Sequence, residues 1–114
     1  MNYSTMLFGA VLSAHEPDLA DRLAEHSAVE VVRYPGFGAV VSFDVHGGAA
    51  PADVVCGSVL IIRHATSLGG VESTMERRAA ILGQTHLPPG LLRLSVGCEH
   101  PDDLWRDLQQ ALTP

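Results

Sequence analysis

Two short segments carry side chains that could bind a small anionic ligand. Arg93 lies within the apolar run at residues 91–96, and Ser67 comes shortly before the pair Gly69-Gly70. In a strand, alternation directs Arg93 away from the face of its leucine neighbours. A guanidinium can donate two parallel hydrogen bonds to a carboxylate, and glycines let a backbone approach a ligand closely. From periodicity alone, the simpler interpretation of Arg93 is a solvent-facing arginine, and Ser67 is explained equally well as a turn residue after a strand.

The elements that position these residues are predicted from apolar periodicity and turn signals. Residues 72–82 are compatible with a helix, because Met75, Ala79 and Leu82 repeat at i, i+4, i+7. The clearer elements are helices at residues 17–26, 51–55 and 101–112 and strands at residues 29–34, 39–45, 60–62 and 91–96. This order indicates an α+β fold, in which a small, mostly antiparallel four-stranded sheet has helices on one face.

Length and charge limit the domain count and the partners. A chain of 114 residues is large enough for one domain with a single core. We assign residues 13–114 to that domain and leave residues 1–12 as an N-terminal arm without a predicted structure. The net charge of −6, with seven scattered arginines, argues against binding to nucleic acid or to an acidic membrane surface.

The N-terminal sequence and the cysteines indicate a cytoplasmic protein. The apolar run at residues 6–12 has no basic residue before it and is too short to cross a bilayer, so we expect neither a secretory signal nor a membrane anchor. In a reducing compartment Cys56 and Cys98 remain thiols. Six histidines and two cysteines lack the close paired spacing of a zinc site, and no nucleophile motif is visible, so we expect neither a metal nor a catalytic nucleophile.

Four motifs occur in an order that is similar to one enzyme family. They are V-R-Y-P-G at residues 32–36, S-L-G-G-V-E-S at residues 67–73, L-R-L-S-V-G-C-E at residues 92–99, and Asp103-Leu104. Together they resemble the C-terminal domain of the Cys/Met metabolism (transsulfuration) enzymes, such as cystathionine γ-synthase and γ-lyase. The resemblance covers residues 15–112 and implies the fold of the C-terminal domain of fold-type I pyridoxal phosphate enzymes, with carbon–sulfur chemistry on amino acids.

The resemblance also implies roles for individual residues. Arg93 matches the arginine that holds the substrate α-carboxylate, and Ser67 matches the serine beside it. Glu72 and Ser73 are expected to hold the loop in shape rather than to touch substrate. In the family a lysine from another domain forms the Schiff base with the cofactor. Since all seven basic residues here are arginines, we assign no catalytic or cofactor-binding residue and expect no bound cofactor and no turnover in this chain alone.

Departures from the family pattern leave several functions open. Family members have an additional segment where Gly36 here runs directly into Phe37, and the segment that ends in Thr85-His86 is spaced differently. We expect a stand-alone or truncated domain that pairs with a large cofactor-binding chain or forms a homo-oligomer, through apolar sheet or loop surface. The alternatives are a non-catalytic interaction or oligomerisation module, and an amino-acid binder that works without the cofactor. The last is the weakest, because one arginine on an open sheet buries little of a ligand.

Overall fold

The computed structural model describes residues 16–36, 38–65, 72–81 and 83–113. The predicted N-terminal arm and Ser67 lie outside these residues. Within the described ranges the chain forms three helices and five strands, in the order α1 (Glu16–Glu25), β1 (Val29–Arg33), β2 (Val40–Val45), α2 (Ala49–Ser58), β3 (Arg63–His64), β4 (Thr74–Arg77), β5 (Leu91–Ser95) and α3 (Pro101–Leu112). A short 3₁₀ turn, Arg78–Ala80, follows β4.

The described strands form one mixed sheet. Their order across the sheet is β1-β2-β5-β4-β3, and every pair is antiparallel except β3 with β4. The predicted α+β class and the mostly antiparallel sheet are therefore confirmed. The predicted count of four strands was one too few, because β3 and β4 were both missed and the segment predicted as a strand at residues 60–62 is not one.

Alternation along the strands separates a core face from an open face. Val41, Phe43, Leu92, Leu94 and Met75 point to the core face and are fully buried. All three helices contribute buried apolar side chains to this core. Helix α3 has the predicted apolar stripe, with Leu104, Leu108, Ala111 and Leu112 buried. The polar residues at alternate strand positions are thereby left on the other face of the sheet.

The predicted strand at residues 60–62 was wrong, and the cause lies in helix α3. The carboxylate of Asp107 accepts hydrogen bonds from the backbone N–H groups of Leu60, Ile61 and Ile62 at 2.7–2.8 Å. With these three donors bound to a side chain, the segment bends around the carboxylate. Strand pairing begins only at Arg63, where the backbone N–H donates to Ser73 O at 2.9 Å.

The predicted helix at residues 72–82 was also wrong. Residues Thr74–Arg77 form strand β4, which lies between β3 and β5 in the sheet. Met75, which fits the helical repeat, also fits strand alternation and packs in the core with no exposed surface. Backbone pairing with two neighbouring strands outweighs a short helical pattern, because helix propensity is a weak preference that tertiary contacts override.

Among the described residues the most exposed large apolar side chain lies on a loop, which is one of the two kinds of surface that we expected. Along β2, β5 and β4 the open face presents mainly polar residues, whereas Leu60 (84% exposed) and Ile61 (45% exposed) lie on the loop before β3. No helix in the described part of the chain is long and apolar enough to cross a membrane. The expected partner stays a prediction.

The two cysteines, both described, are thiols in different environments. Cys56 is buried in helix α2, and Cys98 is exposed. Burial, with a smaller contribution from the charge of Asp53, raises the pKa of the Cys56 thiol to about 11. Because the thiolate is the reactive form, roughly one Cys56 side chain in a thousand is ionised at pH 8.

We therefore predict that one thiol per chain reacts rapidly with Ellman's reagent at pH 8 in the native protein. The second should react only after denaturation in urea. Cys98→Ala should remove the rapid phase, while Cys56→Ala should retain it. Rapid reaction of both thiols in the folded wild type would contradict this prediction.

Asp107→Asn should destabilise the fold by about 3 kcal/mol, because an amide replaces a buried carboxylate that accepts three backbone hydrogen bonds. Urea unfolding followed by circular dichroism measures the change. Asp103→Asn is the matched control, since Asp103 lies one turn earlier and its carboxylate contacts exposed Arg106. The control should cost less than about 1 kcal/mol. Equal effects of the two variants would show that Asp107 does not organise this loop.

Candidate functional site

A row of four polar residues crosses the open face of the sheet. In the strand register Arg33 lies opposite Ser42, Ser42 lies opposite Arg93, and Arg93 lies opposite Glu76. Directly opposite residues on one face are close enough for their side chains to interact. The row therefore places two arginines and one glutamate on the face that the helices leave uncovered.

The two arginines of the row have different carboxylate partners. Arg33 pairs with Asp44, through Nε to Oδ1 at 3.2 Å and Nη2 to Oδ2 at 3.0 Å. This two-bond pairing raises the pKa of Arg33, because both the hydrogen bond and the charge of Asp44 favour the cation. The guanidinium group of Arg33 is thus already bound to a carboxylate of its own chain.

Arg93 makes a single contact with Glu76 instead. Its Nη2 lies 2.9 Å from Glu76 Oε1, and Nη1 of Arg78 lies 2.8 Å from the same oxygen. The Glu76 side chain is 2% exposed, whereas that of Arg93 is 18% exposed. Two cations around one carboxylate leave a net charge of +1, so this cluster favours an additional anion. Both arginines are partly exposed.

A second contact joins the two motifs that prompted the functional hypothesis. Ser73 is fully buried, and its Oγ donates to Glu99 Oε1 at 2.7 Å while its N–H donates to Glu99 Oε2 at 2.9 Å. The same Oγ accepts a bond from the Gly97 N–H at 2.8 Å. Glu72 forms an exposed pair with Arg63. These bonds fix the end of the 67–73 motif against the end of the 92–99 motif.

Part of this arrangement was predicted from the sequence. Alternation placed Arg93 correctly on the open face, and its carboxylate-binding role stays a prediction, as does that of Ser67, which lies outside the described residues. Glu76 and Glu99 were missed as partners. Strand alternation would have placed Glu76 on the same face as Arg93, but its segment was predicted to be a helix. His86 is exposed in the turn before β5. The described residues contain no group of three metal-binding side chains.

Comparison with known proteins identifies the family. The sequence model of one family, described as Cys/Met metabolism PLP-dependent enzymes, matches residues 13–113 of this chain. This chain belongs to that family. The recognition made from the four motifs is confirmed, and the match extends over nearly the whole sequence.

Individual family members show the same relationship. An L-methionine gamma-lyase of Brevibacterium sandarakinum is 35% identical, with 83% of this chain and 30% of that protein aligned. A cystathionine gamma-synthase of Mycobacterium leprae is 36% identical, with 82% and 30% aligned. The structure of apo CalE6, a methionine gamma lyase from Micromonospora echinospora, covers 95% of this chain and 33% of its own length, with 34% identity and a TM-score of 0.85.

The family members are longer in two respects. This chain spans about 30% of the length of the curated relatives it matches. Within the match, the alignment with the Brevibacterium protein extends over 119 positions although this chain has 114 residues, so the relative has segments that are absent here. Such absent segments are consistent with the direct connection of Gly36 to Phe37 in this chain.

The residues of this chain do not fit the family's cofactor by themselves. A Schiff base with pyridoxal phosphate needs a primary amine on a lysine side chain, and this sequence contains none. The guanidinium groups on the open face are suited to a carboxylate instead. The described part of the chain therefore carries groups suited to an anion rather than to a Schiff base.

Ser73→Ala should lower the free energy of unfolding by about 2 kcal/mol, because it leaves the buried Gly97 N–H without its acceptor and removes one bond to Glu99. Urea denaturation gives the value. Ser58→Ala removes an exposed hydroxyl bond to Val54 O and serves as control, with an expected change below about 0.5 kcal/mol. A change at Ser73 no larger than the control would contradict the structural role of this bond.

Proposed function

We propose that this domain supplies the substrate-carboxylate site of a pyridoxal phosphate-dependent enzyme that acts on carbon–sulfur bonds of amino acids. The observation that carries the proposal is the placement of Arg93. It lies at the centre of the open face, is partly exposed, and belongs to a cluster with net charge +1. Membership in the family supports the substrate class and the cofactor.

Arg93 is a better clamp than the other arginine of the row. Arg33 already binds both oxygens of Asp44, whereas Arg93 shares one oxygen of Glu76 with Arg78. An incoming carboxylate at Arg93 therefore adds a partner without displacing a two-bond ion pair. Charge-assisted bonds of this kind contribute about 1.5 to 3 kcal/mol each.

In this proposal Arg93 and Ser67 orient the substrate and take no part in proton transfer. The cofactor would supply the carbanion stabilisation, held by a lysine-bearing domain, and this chain would position the amino acid beside it. Without that domain we propose no turnover, in the cytoplasm or in purified form. The measurable contribution of this chain is then to substrate affinity and orientation.

A chimera tests the proposal directly. Residues 13–113 replace the matching third of the Brevibacterium L-methionine gamma-lyase, and thiol release from L-methionine is measured. Arg93→Ala should lower kcat/KM by about a hundredfold, corresponding to the loss of about two charge-assisted bonds. Arg33→Ala is the matched control on the same row of the sheet and should change kcat/KM by less than about threefold.

Two results would contradict the proposal. One is a chimera that binds the cofactor but whose activity is unaffected by Arg93→Ala. The other is a folded, cofactor-loaded chimera without any activity, since the domain would then not provide a working substrate site.

A second candidate is a non-catalytic oligomerisation module, supported by the loop before β3. Leu60 and Ile61 are exposed, and the three hydrogen bonds to Asp107 hold their backbone in one conformation. A fixed apolar projection is suited to self-association. In that case Leu60→Asp would shift the purified chain to monomer in sedimentation velocity, whereas Arg93→Ala would leave the association unchanged.

A further inference from the structure

Arg78 lies on the same face of the sheet as Arg93, although the two residues belong to different elements. Glu76 lies opposite Arg93 in the pairing of β4 with β5, and Arg78 follows Glu76 by two residues. The backbone at Arg77 is still extended, with φ −82° and ψ 114°, so the alternation of side chains continues as far as Arg78. The 3₁₀ turn begins only there. The end of β4 thus adds a second arginine to the face that carries Arg93.

A single oxygen of Glu76 brings the two guanidinium groups together. Nη2 of Arg93 lies 2.9 Å from Glu76 Oε1, and Nη1 of Arg78 lies 2.8 Å from it. The two nitrogens are therefore no farther apart than these two distances placed end to end. In the described part of the chain neither guanidinium is paired with a second carboxylate. Each arginine has five N–H donors, so both retain donors for a further acceptor.

The charge around these two arginines is not balanced. Arg33 and Asp44 neutralise each other, and Glu76 neutralises only one of its two arginine partners. The side chain of Arg78 is 20% exposed and that of Arg93 is 18% exposed, so both have surface that a ligand can reach. An anion bound between two cations reduces their mutual repulsion and accepts charge-assisted hydrogen bonds from both.

We propose that Arg78 binds the same substrate carboxylate as Arg93, with each guanidinium donating to one carboxylate oxygen. This inference rests on the proposed function of Arg93 and extends the clamp from one arginine to two. Glu76 is then the counter-charge that holds both guanidinium groups in place, and it does not contact the ligand. The amino group of the substrate remains free to react with the cofactor. Two arginines also hold more of a ligand than the single arginine considered from the sequence.

Arg77 is a matched control for Arg78. It is the preceding residue in the chain, so its side chain lies on the opposite side of the sheet. There its Nε donates to Asp53 Oδ1 at 2.7 Å and its Nη1 donates to Pro89 O at 3.3 Å. Substitution of Arg77 by alanine removes the same charge and the same side chain as substitution of Arg78, but leaves the cluster around Glu76 intact.

NMR of the arginine side chains tests the inference on the intact wild-type chain. The Nε–H signals of the seven arginines are assigned through their bonds to the backbone, and L-methionine is added. We expect the signals of Arg93 and Arg78 to shift with the same dissociation constant, while those of Arg33 and Arg77 stay in place. L-Methioninol, which has the same side chain and amino group but no carboxylate, should shift none of them.

Variants then measure the contribution of Arg78 to affinity. Arg78→Ala should weaken L-methionine binding about tenfold or more, as expected for the loss of one charge-assisted bond, whereas Arg77→Ala should change it by less than about twofold. The comparison is repeated in Glu76→Gln, with folding verified by the thermal transition. A direct ligand should show the same loss there. If Arg78 acts only by drawing Glu76 away from Arg93, the loss should disappear.

The outcomes separate this inference from the proposed function. A shift at Arg93 without one at Arg78 would overturn the role of Arg78 and leave the clamp at Arg93 standing. Equal affinities of the wild type and Arg78→Ala, or a loss that disappears in Glu76→Gln, would do the same. No binding of L-methionine, a shift that spares Arg93, or equal shifts with L-methioninol would overturn both proposals.

Discussion

The ion pair between Glu76 and Arg93 is the constraint on which the open face depends. A carboxylate that is 2% exposed is stable only with close positive partners, and here two arginines meet at one of its oxygens. Glu76 and Arg93 can meet only when β4 and β5 pair in the observed register. A slip of one residue would turn Glu76 into the core and Met75 out of it. The charge pair and the apolar core therefore select the same alignment.

The same constraint shapes the candidate site. The guanidinium of Arg93 is restrained on its inner side and partly open on its outer side, so little side-chain entropy remains to be lost when a carboxylate binds. The Ser73–Glu99 bonds restrain the ends of both motifs nearby. This restraint is consistent with the proposed role of Arg93 in positioning a substrate, while the cofactor chemistry would be performed by residues that this chain does not contain.

Local patterns were sufficient to predict much of the fold. The helical repeat before β1 and the apolar stripe of α3 gave helices close to their observed bounds, and alternation gave the strands β1, β2 and β5 and the face of Arg93. The errors lie in segments whose structure is determined by residues far away in the sequence. The 60–62 segment is bent by Asp107, which is 45 to 47 positions later in the sequence. Strand β4 forms because β5 pairs with it. Since we predicted a helix there, the position of Glu76 opposite Arg93 was not predicted. The proposed carboxylate role of Arg93 came from the family resemblance, since periodicity alone favours a solvent-facing arginine.

A crystal structure of this chain with L-methionine at saturating concentration tests the central claim most directly. The account predicts the ligand carboxylate within hydrogen-bond distance of Arg93. A ligand bound at another surface, with the Arg93–Glu76–Arg78 cluster unchanged and unoccupied, would contradict it.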